Sequence, residues 1–177
     1  MHIRIPTYNI KTEEWSHTEF ETRDAFREFL VSIFKEPGQY GFDESSLLFN
    51  ERARIFNKQK FYCPAPPKSK DFVTYWDTEK EKCRAGVLYV KGKKQWYLTR
   101  DYYMWLNFLP IYNKEVAKFT FPDVRDAQYH MALYEELAKQ SYKHAAILKK
   151  RQIASSYFHA AKMIKARRAV PRRLDCK

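Results

Sequence analysis

Cysteine is scarce in this chain. Only Cys63, Cys83 and Cys176 occur among 177 residues, and an odd, widely separated trio suits neither a disulfide framework nor the paired spacing of a metal site. The three read as reduced thiols. No apolar run approaches the ~20 residues needed to cross a bilayer, and the N-terminus lacks a signal-peptide core. No internal repeat and no low-complexity segment is present. What is abundant argues against disorder: 13 Phe and 13 Tyr, with 45% apolar and 17% aromatic residues overall, can build the core of one domain. A formal charge of +12 and a pI near 9.5 favour a polyanionic partner, against the plainer reading of a cytosolic protein that is simply basic.

The pattern along the chain predicts several elements. In "TRDAFREFLVSIFKEPG", Thr22 can cap a helix whose Phe26, Phe29, Leu30, Ile33 and Phe34 fall on one face, and Pro37-Gly38 stops it. A second helix is expected after Asp43 through "ESSLLFNERARIFNK", with Leu48, Ile55 and Phe56 inward. "CPAPPKSKD" reads as a Pro-rich surface connection and "TEKEKCR" as a solvated charge run. "VLYVKGKKQWYL" predicts a hairpin turning at Gly92. Thr99 can cap the aromatic helix of "TRDYYMWLNFLPI"; its rings could stack on bases, but Tyr103, Leu106 and Phe108 are more simply a hydrophobic anchor. "KFTFPD" predicts a strand. Residues 123 to 142 predict a helix with Ala127, Met131, Tyr134 and Ala138 on one face.

The last part of the chain has the order strand, basic turn, helix. Ala145, Ala146, Ile147 and Leu148 predict a strand over 145–149; Lys149, Lys150, Arg151, Gln152, Ile153, Ala154, Ser155 and Ser156 follow, and a helix-compatible stretch begins at Tyr157. A phosphate-binding turn must offer backbone N–H groups, a cation and a hydroxyl for magnesium. Here Ala154 stands in place of the usual second glycine and Ser155 in place of the usual lysine, whereas Ser156 keeps the hydroxyl. A positive φ at Ala154 would cost about 1 kcal/mol or more. Three cations, Lys149, Lys150 and Arg151, stand at the front of the turn instead. One helix earlier lie Arg125 and Gln128, and a glutamine amide can pair with both N6 and N7 of adenine.

Taken together, "FPDVRDAQYHMALYEEL" and "AAILKKRQIASSYFHAAKMI" resemble the ATPase domain of tailed-phage terminase large subunits, the motors that package viral DNA. Arg125, Asp126 and Gln128 match that family's Arg-Asp-x-Gln adenine motif. Arg151, Gln152, Ile153 and Ser156 match its Arg-Gln-φ-Gly-Lys-Ser/Thr loop, and Lys149 falls where deviant members carry their lysine. The likeness covers roughly residues 119 to 165, and "WYLTRDYYMWLNFLPI" is similar to the stretch before the motor core in large-genome phages. It implies an α/β fold: a mainly helical N-terminal region with a hairpin over 1–118, the start of a P-loop-type parallel sheet over 119–165, and a basic tail over 166–177. It implies ATP and Mg2+ as cofactors. Arg125 and Gln128 would hold adenine; Lys149, Lys150, Arg151, Gln152, Ala154 and Ser155 would surround the phosphates; Ser156 would ligate magnesium. The implied partners are double-stranded DNA, the portal, the small terminase subunit and, for a divided motor, a second chain; the implied location is the host cytoplasm during virion assembly.

The same resemblance exposes what the chain lacks. After Ser156 there is no run of four apolar residues followed by Asp-Glu, the strand that would hold magnesium and activate water, and no nuclease carboxylate cluster. The expectation is a motor cut short just past its phosphate loop, inactive alone. The competing class is a non-catalytic nucleic-acid-binding or adaptor protein. The last thirteen residues hold Arg167, Arg168, Arg172, Arg173, Lys165 and Lys177 against one acid, Asp175. Deleting residues 166–177 should lower weak, sequence-blind, salt-sensitive duplex binding and leave nucleotide affinity unchanged. Fluorescence anisotropy across a salt series and nucleotide titration check the two halves of that expectation.

Overall fold

The computed structural model describes residues 2–148, 156–160 and 162–163. Its N-terminal 20 residues form an antiparallel pair, β1 (Ile3–Asn9) and β2 (Glu14–Phe20). Pro6 is buried within β1 opposite His17, yet the ladder on the other side, to β3 (Val87–Lys91), begins only at Thr7. A residue with no N–H is therefore accommodated inside the strand. β1 runs parallel to β3, and β3 turns at Gly92 into antiparallel β4 (Lys94–Leu98), as the hairpin pattern predicts. The result is a four-stranded mixed sheet in the order β2-β1-β3-β4.

Helices cover this sheet. The first, α1 (Arg23–Ile33), is capped by Thr22, whose side chain accepts from the Ala25 N–H, and it buries Phe26, Leu30 and Ile33. Phe26 meets Tyr97 of β4 edge-on at 5.6 Å between ring centres. The helix expected after Asp43 is divided: a 3-10 turn spans Glu44–Leu48, and α2 spans Glu51–Gln59. Asp43 caps the turn, and hydrogen bonds from Ser45 hold its carboxyl well below the usual range. Leu48, Ile55 and Phe56 are half-buried, and the deepest residues are Phe49 and Ala53 between and beside them. Another helix, α4 (Arg100–Phe108), is capped by Thr99 and buries Tyr102, Tyr103, Trp105, Leu106 and Asn107. Its aromatic residues are thus largely core. Burial pushes the hydroxyls of Tyr97, Tyr102 and Tyr103 well above their ordinary pKa.

The segment read as a solvated charge run belongs instead to α3 (Lys70–Ala85), capped by Ser69. Two of its charges, Glu79 and Lys82, are only 3% and 4% exposed. Glu79 accepts from Lys82 Nζ at 2.8 Å, lies 3.3 Å from Arg52 Nε of α2, and accepts the Tyr103 hydroxyl of α4 at 2.7 Å. Lys82 Nζ also sits 4.2 Å from the centre of the Trp15 ring of β2. The chain leaves α3 through Gly86 at φ +82, where a Cβ would meet the Leu98 carbonyl oxygen at 2.5 Å. Only glycine fits that turn.

Beyond α4, β5 (Ile111–Asn113) and β6 (Lys118–Thr120) form a short separate hairpin, which realises the strand expected in "KFTFPD". The long α5 (Asp126–Gln140) follows. Its buried face is Gln128, Tyr129, Met131, Ala132, Leu133 and Glu136, rotated from the face that the apolar spacing predicts; Ala127 is exposed and Tyr134 half-exposed. Arg23 clamps the far end of α5, donating to the Lys139 carbonyl at 2.6 Å with its guanidinium over the Tyr142 ring. One core cluster joins Ile5, Phe26, Trp96, Tyr102, Leu133 and Phe158, so residues on both sides of position 118 share it.

The strand expected over 145–149 is not formed by its described residues. Residues 143–148 have no regular secondary structure, Leu148 is fully exposed, and Lys149 lies outside the described residues. Four apolar residues supply a strand only where a neighbouring edge takes their backbone groups, and all three strand pairings of the four-stranded sheet involve residues before 99. The chain is thus mixed α and β, with its sheet near the N-terminus.

Removing the shared carboxylate from the buried cluster leaves Lys82 stranded. Glu79→Ala should cost about 3–5 kcal/mol, because Lys82 would keep a desolvated charge with no carboxylate, although Arg52 retains Glu51 at 3.1 Å. Urea denaturation of the wild-type and variant chains measures this directly.

Candidate functional site

The start of α5 carries the two residues expected to hold adenine. Arg125 is its N-cap residue, exposed, with extended backbone. Its backbone N–H and carbonyl both lie 3.4 Å from the Tyr102 hydroxyl, which accepts from the first and donates to the second. Gln128, one turn on, is only 3% exposed. Of the expected pair, Arg125 reaches solvent and Gln128 lies within the core.

The opposite side of the same turn is open. His130 Nδ1 lies 2.9 Å from the Tyr40 hydroxyl and 3.0 Å from the Lys35 carbonyl, while Tyr40 donates to that carbonyl at 2.8 Å. Burial is the main cause of the rise in the Tyr40 pKa to about 12. The Gly38 N–H donates to the Asp126 carboxylate at 2.5 Å, so the Pro37-Gly38 turn that ends α1 is tied to the first turn of α5. Between them lies a cavity of about 360 Å³, walled by Pro37, Ala127, His130, Met131, Tyr134 and residues 146–148. Of the face that apolar spacing singled out on α5, Ala127 and Tyr134 line this cavity, and Met131 lies between the cavity and the core.

The end of the basic turn is anchored separately. Residues 156–160 and 162–163 are helical, in keeping with the helix-compatible pattern from Tyr157. Phe158 is 1% exposed, with ring centres 6.1 Å from Tyr102 and 6.0 Å from Trp105. Glu135 of α5 accepts from His159 Nε2 at 2.7 Å and from Lys162 Nζ. Ser156, two residues before Phe158, is exposed, a position compatible with a hydroxyl ligand to a nucleotide-bound cation. Tyr102 thus contacts both regions: its hydroxyl holds Arg125 and its ring packs on Phe158. Lys149, Lys150, Arg151, Gln152, Ala154 and Ser155 lie outside the described residues.

Among the described residues, no group of three or more His, Cys, Asp or Glu side chains is placed to hold a metal ion. No helix among them is long and apolar enough to cross a membrane. Sequence patterns did not single out Tyr40, His130 or Glu135, and marked Pro37 only as a helix stop. Nothing local joins Tyr40 to His130 across 90 positions, and the only hint at Glu135 is that it stands one residue from the buried Glu136 on a helix otherwise rich in apolar residues. No protein-family model matches the chain, and no curated protein or solved structure is significantly similar to it.

The anchor of the helical residues at 156–163 can be tested by itself. Phe158→Ala removes a ring fully enclosed by α4 and α5, a change that typically costs about 3–5 kcal/mol in a core. Amide hydrogen exchange should accelerate at 156–160 while protection in α1, β3 and β4 is kept.

Proposed function

We propose that this chain is the N-terminal part of a tailed-phage terminase large subunit, a DNA-packaging motor, and that it binds ATP through a deviant phosphate turn. The observation that supports the reading is that Arg125 of the first motif and Phe158, just beyond the second, are both held by Tyr102 of α4. Tyr102 holds the backbone of Arg125 and packs against Phe158, two residues beyond the motif hydroxyl of Ser156. The order Arg-Asp-x-Gln, helix, basic turn, hydroxyl, helix supports it from the sequence.

In this reading Lys149, Lys150 and Arg151 neutralise the triphosphate, Lys149 being favoured as the displaced phosphate lysine, and Ser156 supplies an oxygen to Mg2+. The metal would screen charge on the β- and γ-phosphates. Arg125, held by Tyr102 yet exposed, stands at the side of the nucleotide. A P-loop-type parallel sheet belongs to the proposal too: residues 145–149 would become a strand on pairing with further strands of the motor. Double-stranded DNA, the portal and the small terminase subunit are the partners it entails.

A second reading, a non-catalytic nucleic-acid-binding or adaptor protein, is favoured by the distribution of charge. Residues 143–177 hold 11 Lys and Arg against one Asp, a net +10, which leaves only +2 of the chain's +12 for residues 1–142. A nearly neutral sequence over 1–142 followed by a strongly basic one is the charge layout of a polyanion binder.

Titration with ATP and magnesium separates the two. The chain should bind the nucleotide without steady-state phosphate release, and Lys149→Ala should weaken binding far more than Lys143→Ala. Equal effects would reduce the cations to a general basic surface and favour the second reading. Turnover abolished by Ser156→Ala would instead mean that the chain holds a complete catalytic site.

A further inference from the structure

We infer that the exposed rings of Phe61, Tyr112 and Phe119, together with the acid-free basic segment 54–70, form a stacking surface for single-stranded nucleic acid. The inference does not depend on the nucleotide reading above, and the surface uses no residue after 142. The aromatic helix α4 buries Tyr102, Tyr103 and Trp105, so those rings are closed to bases. Phe61, Tyr112 and Phe119 are instead open to solvent, at 45%, 46% and 70% exposure.

The three open rings belong to one connected aromatic run, which sets them apart from scattered surface residues. Lys60, at a left-handed φ of +67, ends α2. Beyond it Phe61 is left exposed, while Tyr62 turns back to stack on Phe56 of α2 at 4.6 Å between ring centres. On the short hairpin, Tyr112 and Phe119 are cross-strand partners whose rings meet edge-on at 5.5 Å. Phe121, two residues beyond Phe119, meets Phe56 edge-on at 5.8 Å. The hairpin and its exposed pair are thereby tied to the segment that carries Phe61.

Charge selects the occupant. Residues 54–70 hold Arg54, Lys58, Lys60, Lys68 and Lys70 and no acid, and all five cations are exposed. Arg54 and Lys60 donate to the Leu47 and Asn57 carbonyls, neutral acceptors that leave the charge in place. Among the described residues no carboxylate pairs with any of the five. The +5 of this segment exceeds the net +2 of residues 1–142, which leaves −3 for the rest of that region. A duplex could use the cations, but its bases are already paired and stacked on one another. A single strand uses both features: its phosphates lie against the cations and its unpaired bases against the rings.

Fluorescence anisotropy of the full chain with four probes of equal length tests the surface. The probes are an oligothymidylate, an oligouridylate, a duplex and an abasic deoxyribose-phosphate strand, which keeps the phosphates and lacks the bases. At least one of the two base-bearing single strands should bind about tenfold tighter than the duplex and the abasic strand, and the tighter of the two identifies DNA or RNA as the source. Phe61→Ala and Phe119→Ala should each weaken that binding about tenfold and leave the duplex and the abasic strand unaffected. Both side chains are exposed, so neither variant should shift the urea midpoint. Lys60→Gln should lower the salt slope of single-strand binding by about 1. An abasic strand that binds as tightly as the base-bearing strands, or ring variants that bind those strands like the wild type, overturns the stacking surface and leaves only phosphate neutralisation. Binding of none of the four probes overturns it as well, and the rings then fit an apolar protein partner.

Discussion

A carboxylate in a nearly dry interior must be surrounded by donors, and Glu79 is surrounded from three helices. Lys82 reaches it from its own helix, Arg52 from α2 and the Tyr103 hydroxyl from α4. Because Lys82 also lies under Trp15 of β2, the same cluster ties the helical layer to the edge of the sheet. Such a cluster contributes less to net stability than its distances suggest, since every charge in it gave up water. Its stronger effect is on arrangement: α2, α3 and α4 can shift relative to one another only by leaving a buried charge unmatched.

That fixed frame sets where the proposed nucleotide site can lie. α4 is held on one side by Glu79 and presents Tyr102 and Trp105 on the other, where α5 and the helical residues after 156 pack. The candidate residues sit where α5 emerges from this packing, with Arg125 and Ala127 exposed and Gln128 and Tyr129 enclosed. One helical turn divides an interior face from a cavity face, and a displacement of about 100° in reading the helix exchanges the two.

Elements with strong caps and a single apolar stripe were legible in the sequence. Thr22 and Thr99 cap the helices assigned to them, and Gly92 turns the hairpin. The pair β1–β2 left no readable trace, since β1 contains Pro6 and β2 is polar along most of its length. The third helix was hidden because its inward positions include Glu79 and Lys82, which pattern reading sends to solvent; the partners that permit their burial come from residues 15, 52 and 103. For α5 the existence of a helix was legible but not its orientation. Gln128 and Glu136 face inward while Ala127 does not, an order that hydrophobicity alone reverses. At 145–148 composition suggested a strand, but a strand is a pairing, and no property of four apolar residues says whether a partner is at hand.

Trp105 is almost completely enclosed, its indole ring is 6.0 Å from Phe158, and its N–H has no hydrogen-bond partner among the described residues. An indole in that state is a built-in optical probe. Separation of Phe158 from α4 would let water reach the ring and hydrate the unmatched N–H, shifting its emission to longer wavelength. Trp96 stays buried against Phe49 and donates to the Tyr40 carbonyl at 2.9 Å, so its signal belongs to the sheet and its covering loop. In variants that keep only one of the chain's four tryptophans, Trp96 follows the sheet and Trp105 follows the residues after 156.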